Sequence, residues 1–131
     1  MSNATTTPKI KREDLRLAIF SSSKDFDRAC LLFSEDEEFE KIPWDDSPAP
    51  LSFITTVEAI SLLKEKGMEF FRVAEPIAKK DITQQQRKFL ETDRAVWAQS
   101  SFLGMVDVTF FLERVSFVRD KEGLRVKTKK T

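Results

Sequence analysis

The stretch Leu15–Phe33 reads LRLAIFSSSKDFDRACLLF and predicts a strand followed at once by a helix. Leu15 to Phe20 is short and apolar and includes the β-branched Ile19, as a strand does. The serines at 21 to 23 break it. Ser22 with Asp25 three residues on forms a capping pair, and Phe26, Ala29, Cys30 and Phe33 then recur at helical spacing, so a helix is expected over about 24–34.

Reading outward, IPWDDSPAP at 42–50 is expected to be a loop, because each proline removes a donor and pushes the residue before it out of the helical region. Leu51 to Thr55 predicts a second strand. Thr55 with Glu58 reads as a capping box for a helix carrying Val57, Ala59, Ile60, Leu62 and Leu63, which Gly67 can end in a left-handed conformation. Met68 to Ala74 follows with apolar residues on both faces, as a buried strand would show, so this region predicts a β-α-β or α-β unit.

Further on, Thr83 and Gln86 form another capping box. The helix it opens is expected to run from about 84 to 98, with Phe89, Leu90, Val96 and Trp97 as its inward stripe. Val106, Val108, Phe110 and Leu112 alternate with polar Asp107 and Thr109, which predicts a strand. Residues 115–119 and 124–128 flank a tight turn ending at Gly123, the clearest hairpin signal in the chain. The fold class expected is α+β, or mixed α/β, with about three helices packed on a small sheet of four to six strands and a C-terminal β-hairpin. Residues 1–12 are expected to be a flexible N-terminal arm, 13–128 a single domain with a proline-rich acidic loop at 41–50, and 129–131 a basic end.

Composition narrows the function classes. The 131 residues include no histidine, one cysteine and three glycines. Without histidine there is no Ser-His-Asp or Cys-His couple and no imidazole ligand, so acid/base chemistry falls to carboxylates or lysine. Cys30 stands alone in an apolar stretch, which suits an inert thiol in a reducing compartment and excludes an intrachain disulfide. None of the glycines lies in a nucleotide-cradling motif. Residues 1–8 are polar and lack the apolar segment of a secretory signal. The most apolar long window, 95–112, is interrupted by Gln99, Ser100, Ser101, Asp107 and Thr109, so no membrane span is expected and the location expected is cytoplasmic. No cofactor or metal is expected.

Leu17 to Leu32 resembles the pyrophosphate-binding S-G-G-x-D-S loop of the PP-loop ATP pyrophosphatases: a strand, Ser21-Ser22-Ser23-Lys24-Asp25, then a helix. The resemblance implies a phosphate cradle at those five residues. Both motif glycines are serine here and its closing serine is Phe26, so the backbone approach that a cradle needs is lost.

Charge sums to zero, 22 basic against 22 acidic residues, but it is segregated. Residues 34–46 carry seven acids against Lys41, a net of −6, and residues 114–131 carry seven bases against Asp120 and Glu122, a net of +5. Three readings follow. The leading one is a small non-enzymatic regulatory or accessory domain acting through protein–protein contacts, as a homodimer or on another protein, with Trp44 and the acids Glu35, Asp36, Glu37 and Glu38 as docking residues. The second is a nucleic-acid binder using Arg119, Arg125, Lys127, Lys129 and Lys130 on the C-terminal hairpin, with Lys9, Lys11 and Arg12 as an arm. The third is a metal-assisted carboxylate hydrolase built on Asp93 with Asp25 or Asp107. There Asp93, on the inward stripe of the third helix, would be a buried acid partnered by Arg72 or Arg94.

Overall fold

A computed structural model of the chain describes residues 10–127. Strand β1 (Leu15–Ile19) pairs antiparallel with β3 (Ser52–Thr56) on one side and β4 (Arg72–Ala74) on the other, and β2 (Trp44–Asp46) adds to the free edge of β3. The sheet order is β2-β3-β1-β4. Helix α1 (Ser23–Glu35) leads from β1 to β2, and α2 (Val57–Glu65) leads from β3 to β4. Each helix therefore joins two strands that run parallel with another strand between them. Two split β-α-β units interleave, the β-α-β-β-α-β order called ferredoxin-like. After β4 come a short helix α3 (Gln84–Glu91), a long hairpin of β5 (Ala95–Phe102) and β6 (Val106–Glu113), and a terminal hairpin of β7 (Phe117–Asp120) and β8 (Gly123–Val126). The class is α+β, as the sequence leads one to expect, with a four-stranded sheet, two separate hairpins and the last of these at the C-terminal end.

Period-two geometry explains why Leu15 to Phe20 is apolar almost throughout. Ala18 and Phe20, with Phe53, face a core closed by Ala29 and Phe33 of α1 and by Ala59, Ile60 and Leu63 of α2. Leu15, Leu17 and Ile19, with Ile54, face the opposite way into a second core closed by Ala98, Phe102, Val108, Phe110 and Leu112 of the long hairpin. The sheet is thus covered on both faces, by helices on one and by β5–β6 on the other.

Four expectations about the elements need correction. The loop expected at 41–50 contains β2, because a three-residue edge strand fits between Pro43 and Pro48 without asking either for a donor. The cap of α2 is Thr56, whose hydroxyl accepts from the Ala59 N–H, while Thr55 is buried in β3 and donates to the Pro43 carbonyl at 2.8 Å. The third helix ends at Glu91, and residues 95–98 belong to β5. Its Thr83–Gln86 capping box does form. Met68 to Phe71 lie ahead of β4, which is only three residues long. In the serine run that resembles the pyrophosphatase loop, the Ser22 hydroxyl is engaged as the cap of α1, accepting from the Asp25 N–H.

The terminal hairpin is docked on α1. Val126 N–H donates to the Ser21 carbonyl at 2.7 Å, and Ser22 bridges to Arg125. Gly123 turns the chain at φ +110° against Ser23, where a side chain would meet the serine hydroxyl. In the region expected to be an arm, Ile10 packs on the hairpin-side core and Arg12 donates to the Asp107 carbonyl at 2.8 Å; residues 1–9, Lys9 included, lie outside the described residues.

Candidate functional site

The sequence-derived candidates are dispersed by the fold. Trp44 is held in the helix-side core, stacked on Phe33 at 5.3 Å between centroids and edge-on to Phe53 at 5.5 Å. The indole is half-buried there, packed against the core with part of its surface exposed. Among the acids of 35–38, Asp36 and Glu38 pair with Lys66 at the end of α2, at 3.3 and 2.6 Å, while Glu35 and Glu37 are exposed. The acidic run thus ties α1 to α2.

That cluster shifts its own titrations. The Glu38 N–H, and then Lys66, hold the Asp36 carboxyl below the usual 3.8; hydrogen bonds to Glu38 and Asp36 hold Lys66 above 10.5. A lowered folded pKa gives stability that is present above 3.8 and lost as pH falls through the folded value; a raised one gives stability present below 10.5 and lost as pH rises through it. Lys66→Met should therefore lower the thermal midpoint slightly at neutral pH, with the difference fading at both extremes. A difference that does not change with pH would show that the cluster contributes no charge–charge stabilisation.

Asp93 is not buried. It sits in the turn between α3 and β5 at φ +65°, its side chain 79% exposed, paired with Arg114 at 2.6 Å. The physical reason is the early end of α3: without a helix at 93 there is no inward stripe for it to lie on. The expected partners Arg72 and Arg94 are engaged elsewhere, Arg72 with Glu113 and Arg94 over the ring of Phe89. Nor do the carboxylates of the hydrolase reading converge. Ser101 pairs with Asp107 at one end of the long hairpin and Asp93 precedes its other end, roughly 20 Å away at strand rise. Asp25 lies on α1, across the sheet. Among the described residues no group of three or more Cys, Asp or Glu is placed to hold a metal ion. Burial, and then the charges of Asp27 and Asp46, push the Cys30 thiol up to about 11, which keeps it in the protonated form at neutral pH.

The basic hairpin is divided as well. Arg119 pairs across the strands with Leu124, and Arg125 with Val118, which puts the two arginines on opposite faces. Arg125 is held by Asp120 at 2.6 Å, and that contact, with the Glu122 N–H, keeps the Asp120 carboxyl below its usual value. Lys127 is exposed; Lys129 and Lys130 lie outside the described residues. The face of the four-stranded sheet on which an RNA-binding sheet of this order would stack bases is covered by β5–β6.

What the fold does assemble is an apolar groove of about 530 Å³ that no single stretch of sequence announces. Its walls are Ile10, Ile42, Pro43, Val57, Leu103 and Met105, drawn from the lead into β1, the lead into β2, the first turn of α2 and the tip of the long hairpin. The large apolar side chains exposed among the described residues are Leu31, Val57, Leu103 and Met105, and all but Leu31 border this groove. Met105 is 62% exposed and Leu103 42%.

The tip is also strained. Leu103 takes φ +52° with Gly104 at +71°, and a leucine in that region costs about 1 kcal/mol. Its N–H donates to the Asp45 carboxylate at 2.8 Å, fixing the tip to β2. Local physics favours asparagine or glycine at such a position. Here an apolar side chain is held in that conformation and left exposed. The sequence signal for it is Leu103 and Met105 flanking Gly104 in a turn, where polar residues are the norm.

No family model, curated protein or solved structure matches the chain. Among the described residues no helix is long and apolar enough to cross a membrane. The ferredoxin-like strand order hosts many unrelated activities, so function must be argued from the groove.

Proposed function

We propose that this is a small non-enzymatic domain that works through protein–protein contacts, in a regulatory or accessory role and in a cytoplasmic setting. It receives apolar side chains of another polypeptide in the groove beside the β5–β6 tip. One observation carries the reading: apart from Leu31, every large apolar side chain exposed among the described residues converges on that one concavity. Clustered exposed apolar surface with a charged border is how a docking face differs from scattered exposed leucines, which need no explanation. The dispersed carboxylates and the protonated Cys30 favour binding over catalysis.

A photo-crosslinking residue at position 105, in the protein's own cells, tests this. A single defined protein adduct should form at 105 but not at Lys121 on the remote terminal turn. The same adducts at 105 and 121, or none at 105, would sink the reading.

A further inference from the structure

We infer that the groove's occupant is a second copy of this chain, paired about a twofold axis so that the hairpin tip of each copy enters the groove of the other. This deepens the docking reading and rests on it. Two features point to self-pairing. First, projection and recess lie side by side: Leu103 and Met105 stand out from the tip and also form one wall of the groove, whose other walls are Ile10, Ile42, Pro43 and Val57. In a twofold contact residue i meets j while j meets i, so a face must carry both halves of its own complement. This one does.

Second, the border has the charge such a contact needs. Lys11 and Lys41 stand with Asp14 and Glu58, two of each sign, all exposed and none in an ion pair among the described residues. A border of one sign would repel its own copy and select a partner of the opposite sign. A border of two cations and two anions meets its own copy without net repulsion and leaves each sign a group of the other sign to face. The contributing segments are short, so the contact belongs with the smaller and weaker interfaces, below about 1,200 Å² in total.

Sedimentation equilibrium from about 10 μM to 1 mM tests it, a range in which weak self-association is readable. The wild-type mass should climb from 15.1 kDa toward twice that value. Met105→Asp should hold it at the monomer mass. Reversing both cations (Lys11→Glu with Lys41→Glu) or both anions (Asp14→Lys with Glu58→Lys) should each abolish self-association, and mixing the two reversed proteins should restore it. All five positions are exposed, and unchanged circular dichroism confirms that each variant is folded. A monomer throughout the range, single-sign variants that associate as well as wild type, or a mixture that stays monomeric overturns the inference. A monomeric wild type that still gives the position-105 adduct with a different protein defeats self-pairing and leaves docking standing; a monomer with no adduct defeats both.

Discussion

Phe53→Ala should cost about 3–5 kcal/mol of unfolding free energy, the range for removing a buried phenylalanine from a packed core. Phe53 has no exposed surface and lies on β3 at the centre of the helix-side core. Its ring meets Phe20 at 5.2 Å, Phe33 at 5.3 Å, Trp44 at 5.5 Å and Phe26 at 6.0 Å between centroids. Those partners come from β2, α1 and the residue after β1, so one truncation removes contacts that hold α1 to the sheet and brace β2 and the end of β1. The cavity cannot close easily. Its walls are aromatic rings already braced on each other, Phe33 on Phe39 at 5.1 Å and Phe20 on Phe70 at 5.1 Å. A small domain has about 5–15 kcal/mol in total, so the variant should lose a large part of its stability and its denaturant midpoint should drop sharply with little change in slope. Phe53→Leu, which keeps most of the volume, should cost about 1–2 kcal/mol. A loss below about 1 kcal/mol for the alanine variant would mean that the aromatic cluster does not centre on this ring.

The same elements show what a sequence can and cannot disclose. β1 and α1 are legible because their signals are local: an apolar run, a capping serine and helical spacing all within twenty residues. The C-terminal hairpin is legible because Gly123 supplies a backbone conformation that few other residues take. Residues 95–98 mislead, because Phe89 and Leu90 on α3 and Val96 and Trp97 on β5 happen to fall at spacings a continuous helix would use. Only Asp93, in a left-handed turn, separates them, and aspartate does not advertise that as glycine does. What decides the period there is pairing with β6, a non-local contact that no window contains. The same continuous-helix spacing places Asp93 on an inward stripe that α3, ending at Glu91, does not have. The groove was hidden for a related reason: its walls come from four places between residues 10 and 105, and neither spacing nor composition brings them together. The charge segregation, by contrast, is visible in the sequence, and the fold pairs part of it, Asp36 and Glu38 with Lys66 and Arg125 with Asp120.

Strand periodicity in the long hairpin can be tested at two adjacent residues. Phe110 is fully buried and points into the core between β5–β6 and the sheet, beside Leu17, Ile19 and Ile54. Phe111 is half-buried on the opposite face, where its ring meets only the edge of Trp97 at 6.2 Å among the aromatic groups. Phe110→Ala should therefore cost about 3–5 kcal/mol, and Phe111→Ala about 1 kcal/mol. The contrast follows from a period of two, since neighbouring side chains on a strand face opposite ways. It also tests whether β5–β6 is a structural layer or an appendage. If the hairpin is integral to the fold, Phe110→Ala lowers the single cooperative transition of the whole domain, and far-ultraviolet and tryptophan signals shift together. If the hairpin only rests on the sheet, Phe110→Ala frees Trp97 on β5 at lower denaturant than the helices. Equal losses at 110 and 111 would contradict the strand assignment. Split transitions would mean that the tip bearing Leu103 and Met105 is attached to a separable unit, and the groove would then open with the hairpin before the domain unfolds.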